Sequence, residues 1–236
     1  MALLEVCDLH AHYGKSHILS GVSLAIGAKE TVAVLGRNGS GRSTLMKTLV
    51  GLVAPSGGSI KLDGVEIAGT PAYQIVRRGL AYVPEERLIF DNLTVDENLL
   101  IGLQKGPAGA PAWTTADMYN YFPPLLERRS TRAGKLSGGE QQLLTLCRSL
   151  LCHPKLMLID EPTEGLAPKL VDSLVEVMRD MARRGVAIVL VEQKMTIALK
   201  IASRCLVMGH GKIVFEGTPD ELSRNAEIKR SWLEAA

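Results

Sequence analysis

Aromatic residues make up only 4 % of the chain, too few for a surface that stacks successive bases. The net charge of +2 on 236 residues supplies neither the basic field of a nucleic-acid binder nor an acidic tail, so no nucleic acid is expected as a partner. Unbroken apolar stretches such as residues 186–191 fall far short of the roughly 20 residues that cross a bilayer. The opening Met-Ala-Leu-Leu-Glu-Val has no basic segment followed by an apolar core and a cleavage site, so it does not read as a signal peptide. The expected location is the cytoplasm. Cys7, Cys147, Cys152 and Cys205 form no Cys-x-x-Cys pair and have no histidine at zinc-like spacing, so they read as small buried hydrophobes. The five histidines are scattered, and His153, between a helix and Pro154, is expected to face that helix's C-terminus rather than a metal.

What is present is a glycine-rich turn. Residues 36–44 read Gly36, Arg37, Asn38, Gly39, Ser40, Gly41, Arg42, Ser43, Thr44. The apolar run of residues 31–35 leads in, and a helical pattern with Leu45, Met46, Leu49 and Val50 on one face leads out. Three glycines in six positions let successive backbone N–H groups point inward, and the helix start behind them adds partial positive charge. This is the polyphosphate cradle called a P-loop, with arginine at position 42 where the pattern has lysine.

Around it, strands are expected over residues 3–9, 18–26 and 31–35, with Tyr13 in a polar loop between the first two, either to stack on a purine or to pack over the sheet. Residues 54–58 read as a turn, 59–62 and 65–67 as a hairpin, 71–78 as a helix and 80–83 as a buried strand. From there to about residue 150 the strands stop. Thr94 with Glu97 has the spacing of a capping box, residues 105–112 form a Gly/Pro/Ala linker, and another helix surrounds residues 118–122. Leu136-Ser137-Gly138-Gly139-Glu140 opens a helix and offers either a second small anion-binding end or a cap and nothing more. The strand of residues 156–159 ends in Asp160-Glu161-Pro162, two acids at a position where α/β sheets bind ligands. One can hold a metal ion through its waters, and its neighbour can position or deprotonate a water. A helix over 168–184, strands over 186–191, 205–208 and 212–215, and a helical tail docking through Ile228, Trp232 and Leu233 complete the alternation. The fold class is therefore α/β, a P-loop NTPase-type mainly parallel sheet with an antiparallel β subdomain and an inserted α-helical subdomain. It is read as one domain, residues 1–236, with a core of 1–85 and 151–236 and a helical insert of about 86–150.

The P-loop, about ninety residues, Leu-Ser-Gly-Gly-Glu-Gln-Gln, then an apolar strand ending in Asp-Glu-Pro together resemble the ATP-binding cassette of ABC transporters. Val83-Pro84-Glu85, Ile89-Phe90, the run from Leu93 to Leu99, Glu164-Gly165-Leu166-Ala167-Pro168 and Val191-Glu192-Gln193 are similar to the second ATPase subunit of branched-chain amino acid importers. Relatives of those importers carry urea, short amides or aromatic acids. The resemblance implies ATP and Mg²⁺ as cofactors. Tyr13 would stack on adenine, and residues 36–44 would wrap the phosphates with Ser43 on Mg²⁺. Glu85 stands for the usual glutamine that touches Mg²⁺ and senses the membrane partner. Asp160 would support Mg²⁺ through water, Glu161 would be the general base, and Gln193 stands for the usual histidine at the γ-phosphate. Ser137, Gly138 and Gly139 would contact the γ-phosphate held by the opposing subunit, and Ala167 replaces the usual aspartate. The implied partners are a second ATP-binding subunit, in a homo- or heterodimer, transmembrane permease subunits, and indirectly a solute-binding protein. The chain would then sit peripherally on the inner face of the cell membrane, and the stretch of residues 87–93, with Leu88, Ile89 and Phe90, either docks on the permease or packs the insert's own core.

Arg42 is the departure. Lysine delivers a compact charge, whereas the guanidinium is planar, longer and forked. Binding should suffer less than chemistry, because loss of a preorganised transition-state contact costs about 3–4 kcal/mol, or roughly 10²–10³ in rate. The readings that compete with an importer ATPase are a soluble cassette acting on DNA or ribosomes, and a regulatory subunit that binds nucleotide and contributes only its Leu136–Glu140 face. The first would carry a long coiled coil or a second cassette, and this chain has neither sustained heptads nor a repeat.

Overall fold

A computed structural model describes residues 2–193 and 195–234. The chain opens with a long antiparallel hairpin, β1 (Ala2–Tyr13) and β2 (Ser16–Gly27), followed by β3 (Thr31–Leu35) and α1 (Arg42–Leu49). Next come β4 (Pro55–Leu62), β5 (Val65–Glu66), α2 (Ala72–Arg77) and β6 (Leu80–Val83). A helical run then holds α3 (Val95–Gly102), α4 (Thr115–Tyr121), α5 (Pro123–Glu127), a 3-10 turn and α6 (Gly138–Leu150). The chain ends with β7 (Leu156–Asp160), α7 (Pro168–Arg183), β8 (Ala187–Val191), α8 (Met195–Ile201), β9 (Arg204–Gly209), β10 (Lys212–Gly217), α9 (Pro219–Arg224) and α10 (Ala226–Trp232).

Two sheets form. One has the order β2-β1-β4-β5 and is antiparallel, and the other has the order β10-β9-β3-β8-β7-β6. In the second, β9, β3, β8, β7 and β6 are parallel and β10 closes an edge antiparallel. Every residue of β3, β7 and β8 is buried, as two-sided cover of a parallel sheet demands. The period of two sorts them between layers. Val32, Val34, Leu158, Val189 and Val191 face the antiparallel sheet and the apolar side of α1. Met157, Ile159, Ile188 and Leu190 face α3, α6 and α7 on the other side. The carboxyl ends of β3 and β7 therefore open together at the start of α1.

Local chemistry fixes several boundaries. Thr94 with Glu97, Thr114 with Asp117, Ser137 with Glu140 and Thr218 with Glu221 each form a reciprocal capping box. No described strand lies between Val83 and Leu156, yet α6 shares one apolar core with β6 and β7. His153 follows α6 in a left-handed conformation (φ 53°), and its Nδ1 accepts the Trp113 N–H at 3.0 Å.

Four expectations need correction. Tyr13 is the last residue of β1, paired with Ser16, because the turn takes only two residues. Pro55–Gly58 is strand rather than turn: Pro55 starts β4, where its missing N–H is tolerated, and Gly58 (φ 87°) lies opposite a bulge in β1, so close to it that a Cβ would lie 2.3 Å from the Asp8 carbonyl oxygen. Cys147 and Cys205 are buried, but Cys7 is exposed and Cys152 is half-buried. The histidines are not all dispersed, since the β1–β2 hairpin stacks His12 on His17 at 4.2 Å and brings His10 Nδ1 within 3.1 Å of His17 Nε2.

Candidate functional site

The turn from β3 into α1 needs its glycines. Gly39 and Gly41 have φ of 80° and 102°, in the left-handed region. At Gly36 a Cβ would lie 2.5 Å from the Met208 carbonyl oxygen and 2.7 Å from Ser40 Oγ. Gly41 serves as N-cap of α1, no side chain caps that end and no acid lies in its first turn, so its leading N–H groups remain open to an anion. A cavity of about 250 Å³ lies over them, lined by residues 38–44 with Glu85, Glu161 and Gln193. The buried Ser40 hydroxyl has no partner within the protein. An uncapped helix start, open donors and an orphan hydroxyl on one cavity fit a phosphate chain.

Arg42 fills part of that cradle. It is 5 % exposed, and its Nη2 lies 2.9 Å from Glu161 Oε1 and 3.3 Å from Asn38 Oδ1. Its Nη1 donates to the Glu192 carbonyl at 3.1 Å. Gln193 Nε2 donates to the other Glu161 oxygen at 2.7 Å. Both oxygens of Glu161 are thus engaged, and the residue sits in left-handed backbone at φ 45° directly after β7, strain of the kind stored at working sites.

Asp160 is 1 % exposed and accepts from Ser43 Oγ at 3.3 Å and from Tyr82 Oη at 3.2 Å. Burial raises its pKa, the Ser43 and Tyr82 hydrogen bonds oppose that, and the neighbouring Glu161 adds to it. Tyr82 is pushed up first by burial and then by Asp160, so it stays a neutral donor. Ser43 and Asp160 form an oxygen pair suited to a hard cation and its waters. Glu85 also lines the cavity, but its carboxylate groups with Glu161 and Glu164, with one oxygen of each within 4.8 Å of the others, a set that does not include Asp160. Burial, then Glu161 and Glu164, raise the pKa of Glu85.

Not every residue singled out in the sequence meets here. Gly36 shapes the turn without lining the cavity. Arg37 lies on a neighbouring cleft with His210 and Trp232. Tyr13 is 50 % exposed at the hairpin end and lines neither. Ser137, Gly138 and Gly139 open α6 outside the cavity, and the Ser137 hydroxyl is occupied with Glu140, donating to Oε2 at 2.8 Å. Leu88 and Phe90 are exposed at 59 % and 47 %, while Ile89 packs into the core shared with α6. Tyr82, Thr163 and Glu192 were not anticipated. Tyr82 carried only the signal of a polar-tipped aromatic one residue from the end of a buried strand, and Thr163 Oγ1 donates to buried Glu192 at 2.7 Å.

Comparison with known proteins places this architecture. The family model described as ABC transporter matches residues 19–164. A high-affinity branched-chain amino acid transport ATP-binding protein of Pseudomonas aeruginosa, BraG, is 39 % identical over 98 % of this chain and 99 % of its own length. The ATP-binding protein LptB of the Haemophilus influenzae lipopolysaccharide export system is 32 % identical over 99 % and 98 %. Among solved structures, a nucleotide-free ATP-binding cassette superposes with TM-score 0.82 at 25 % identity over 95 % of this chain and 94 % of its own, and the ADP conformation of another cassette with 0.80 at 25 % over 97 % and 98 %. The chain belongs to the ABC transporter family, as an ATP-binding subunit. Its class is that of ATPases whose hydrolysis is coupled to transport.

Proposed function

We propose that this chain is the ATP-binding subunit of an importer for a small polar solute, most closely of the branched-chain amino acid type. The observation that carries this reading is the 39 % identity to BraG over nearly the full length of both chains, supported by two further branched-chain amino acid relatives at 30 % and 33 %. No described helix is long and apolar enough to cross a membrane, so transport requires permease subunits, and exposed Leu88 and Phe90 are the surface proposed to meet them.

The main-chain donors of residues 39–44 hold the phosphates, with Ser43 and Asp160 holding Mg²⁺ and Tyr13 beside the base. When bound, Mg²⁺ neutralises charge on the transferring phosphoryl group. Glu161 positions the attacking water and takes its proton, and Gln193 orients Glu161. Ser137, Gly138 and Gly139, away from this cavity, act on the nucleotide of a second subunit, so hydrolysis needs a dimer.

The Arg42–Glu161 ion pair favours one variation on this reading. A guanidinium bound to one carboxylate oxygen occupies a lone pair that would otherwise accept the water's proton, and it leaves the place where a point charge would meet the phosphates. The chain then binds nucleotide and turns it over weakly, serving its partner's site through residues 136–140. With permease and partner present, Arg42→Lys is expected to raise own-site turnover about 10²–10³-fold, while ATP affinity changes far less. Equal rates for the two chains would remove the regulatory variation and leave the importer reading in place.

A further inference from the structure

Behind the phosphate cavity a second cleft, of about 460 Å³, runs between the segment after β6, the turn after β7 and the first turns of α6. Glu85, Glu161 and Glu164 present oxygens within 4.8 Å of one another along it. Glu161 is paired with Arg42, but among the described residues no ion pair reaches Glu85 or Glu164. The nearby cations are committed elsewhere. Lys47 holds Glu86 at 2.8 Å, and the Arg87 guanidinium donates to the Glu164 carbonyl at 3.2 Å rather than to a carboxylate.

The cleft carries a second, independent sign of a ligand. Gln142, on its wall, is 3 % exposed, and neither its amide oxygen nor its amide nitrogen has a hydrogen-bond partner. Leaving such an amide unpaired costs about 1–3 kcal/mol, and it is rare enough in folded proteins to call for an occupant. Three crowded carboxylates and an orphan carbonyl oxygen share one requirement, a hard cation that takes oxygen ligands.

We infer that this cleft is a divalent-cation site of its own, ligated by Glu85, Glu161, Glu164 and the Gln142 amide oxygen, separate from the Ser43–Asp160 pair. Its four ligands come from three segments, so a bound ion ties the end of β6 and the turn after β7 to α6, the helix that Ser137 caps. Glu161 retains free lone pairs beside Arg42 and Gln193, since a carboxylate offers about four acceptor sites.

The test uses the nucleotide-free chain, so it does not depend on the transport reading. Titration with Mn²⁺, with the free ion followed by electron paramagnetic resonance, is expected to show one ion per chain with Kd on the order of 10⁻⁴ M, displaced by Ca²⁺. Glu164→Gln, an isosteric change on an exposed turn, should weaken binding about tenfold or more, and Gln142→Met several-fold. Ser43→Ala should leave it unchanged. No Mn²⁺ uptake below about 10⁻³ M, full affinity in Glu164→Gln, or loss in Ser43→Ala would each overturn the site. ATP binding measured on the same samples reports separately on the nucleotide reading.

Discussion

At residue 42 one side-chain choice reorganises the centre of the site. A lysine ammonium can aim along the cradle, but the longer guanidinium reaches past it and finds Glu161, Asn38 and the Glu192 carbonyl. Arg42 and Glu161 are both almost fully buried, so removing one partner strands the other's charge. Glu161→Ala is expected to cost the nucleotide-free chain about 3–5 kcal/mol in urea denaturation. Glu161→Gln should cost far less, since its amide oxygen still accepts from Arg42. Asp160 makes a different prediction. Burial, its largest influence, raises its folded pKa, and a carboxyl raised in the fold contributes stability while protonated and loses it as pH rises through the folded value. At neutral pH the ionised group therefore opposes folding. Asp160→Asn should raise the Tm of the nucleotide-free chain near pH 7.5, and the gain should shrink as the pH falls toward about 4. A scanning calorimetry series across that range checks the sign. How Arg42 and Asp160 would act was only half legible: their residue types and places in the turn and strand pointed to phosphate and metal, whereas their partners lie 119 and 117 residues away in the chain.

At the scale of elements, one buried side chain anchors the middle of the segment between β6 and α3. Asn98, fully buried on α3, accepts the Phe90 N–H at 3.0 Å and donates to the Phe90 and Thr94 carbonyls at 3.1 and 2.9 Å. This clamp, with Arg148 over the Phe90 ring at 4.8 Å, keeps Leu88 and Phe90 presented at the surface. Asn98→Ala would leave the buried Phe90 N–H unpaired and remove a second donor from the Phe90 and Thr94 carbonyls, which keep the Leu93 and Asn98 N–H groups, at a cost of about 1–3 kcal/mol. It should lower stability by about 2 kcal/mol or more and speed hydrogen exchange across residues 88–93, with little change in ATP binding. Unchanged exchange there would show that Ile89 packing and the Arg148 contacts fix the segment without Asn98.

For the molecule as a whole, the two surfaces proposed to contact nucleotide stand apart. The phosphate cavity closes over the start of α1, while Ser137, Gly138 and Gly139 begin α6 elsewhere. One copy cannot bring them together without rebuilding the core that α6 shares with β6 and β7. Nucleotide binding by the chain alone should therefore be independent of protein concentration. Turnover per chain, measured in Arg42→Lys to make it visible, should rise steeply with concentration as two subunits meet.

The sequence by itself determined the elements and their order: apolar period, glycine at positive φ and the capping pairs at Thr94 and Ser137 act within a few residues, so they can be read along the chain. It also determined the family, since the order and spacing of the motifs survive without coordinates. Only the tertiary structure decided what each charged or polar side chain touches. The Arg42–Glu161 pair, the Tyr82 hydroxyl on Asp160, the gathering of Glu85 with Glu164 and the orphaned Gln142 amide all depend on strand ends and helix starts brought together by the sheet. Electrostatic and hydrogen-bond partnership falls off within a few ångströms, and which groups lie that close is set by packing rather than by neighbours in sequence.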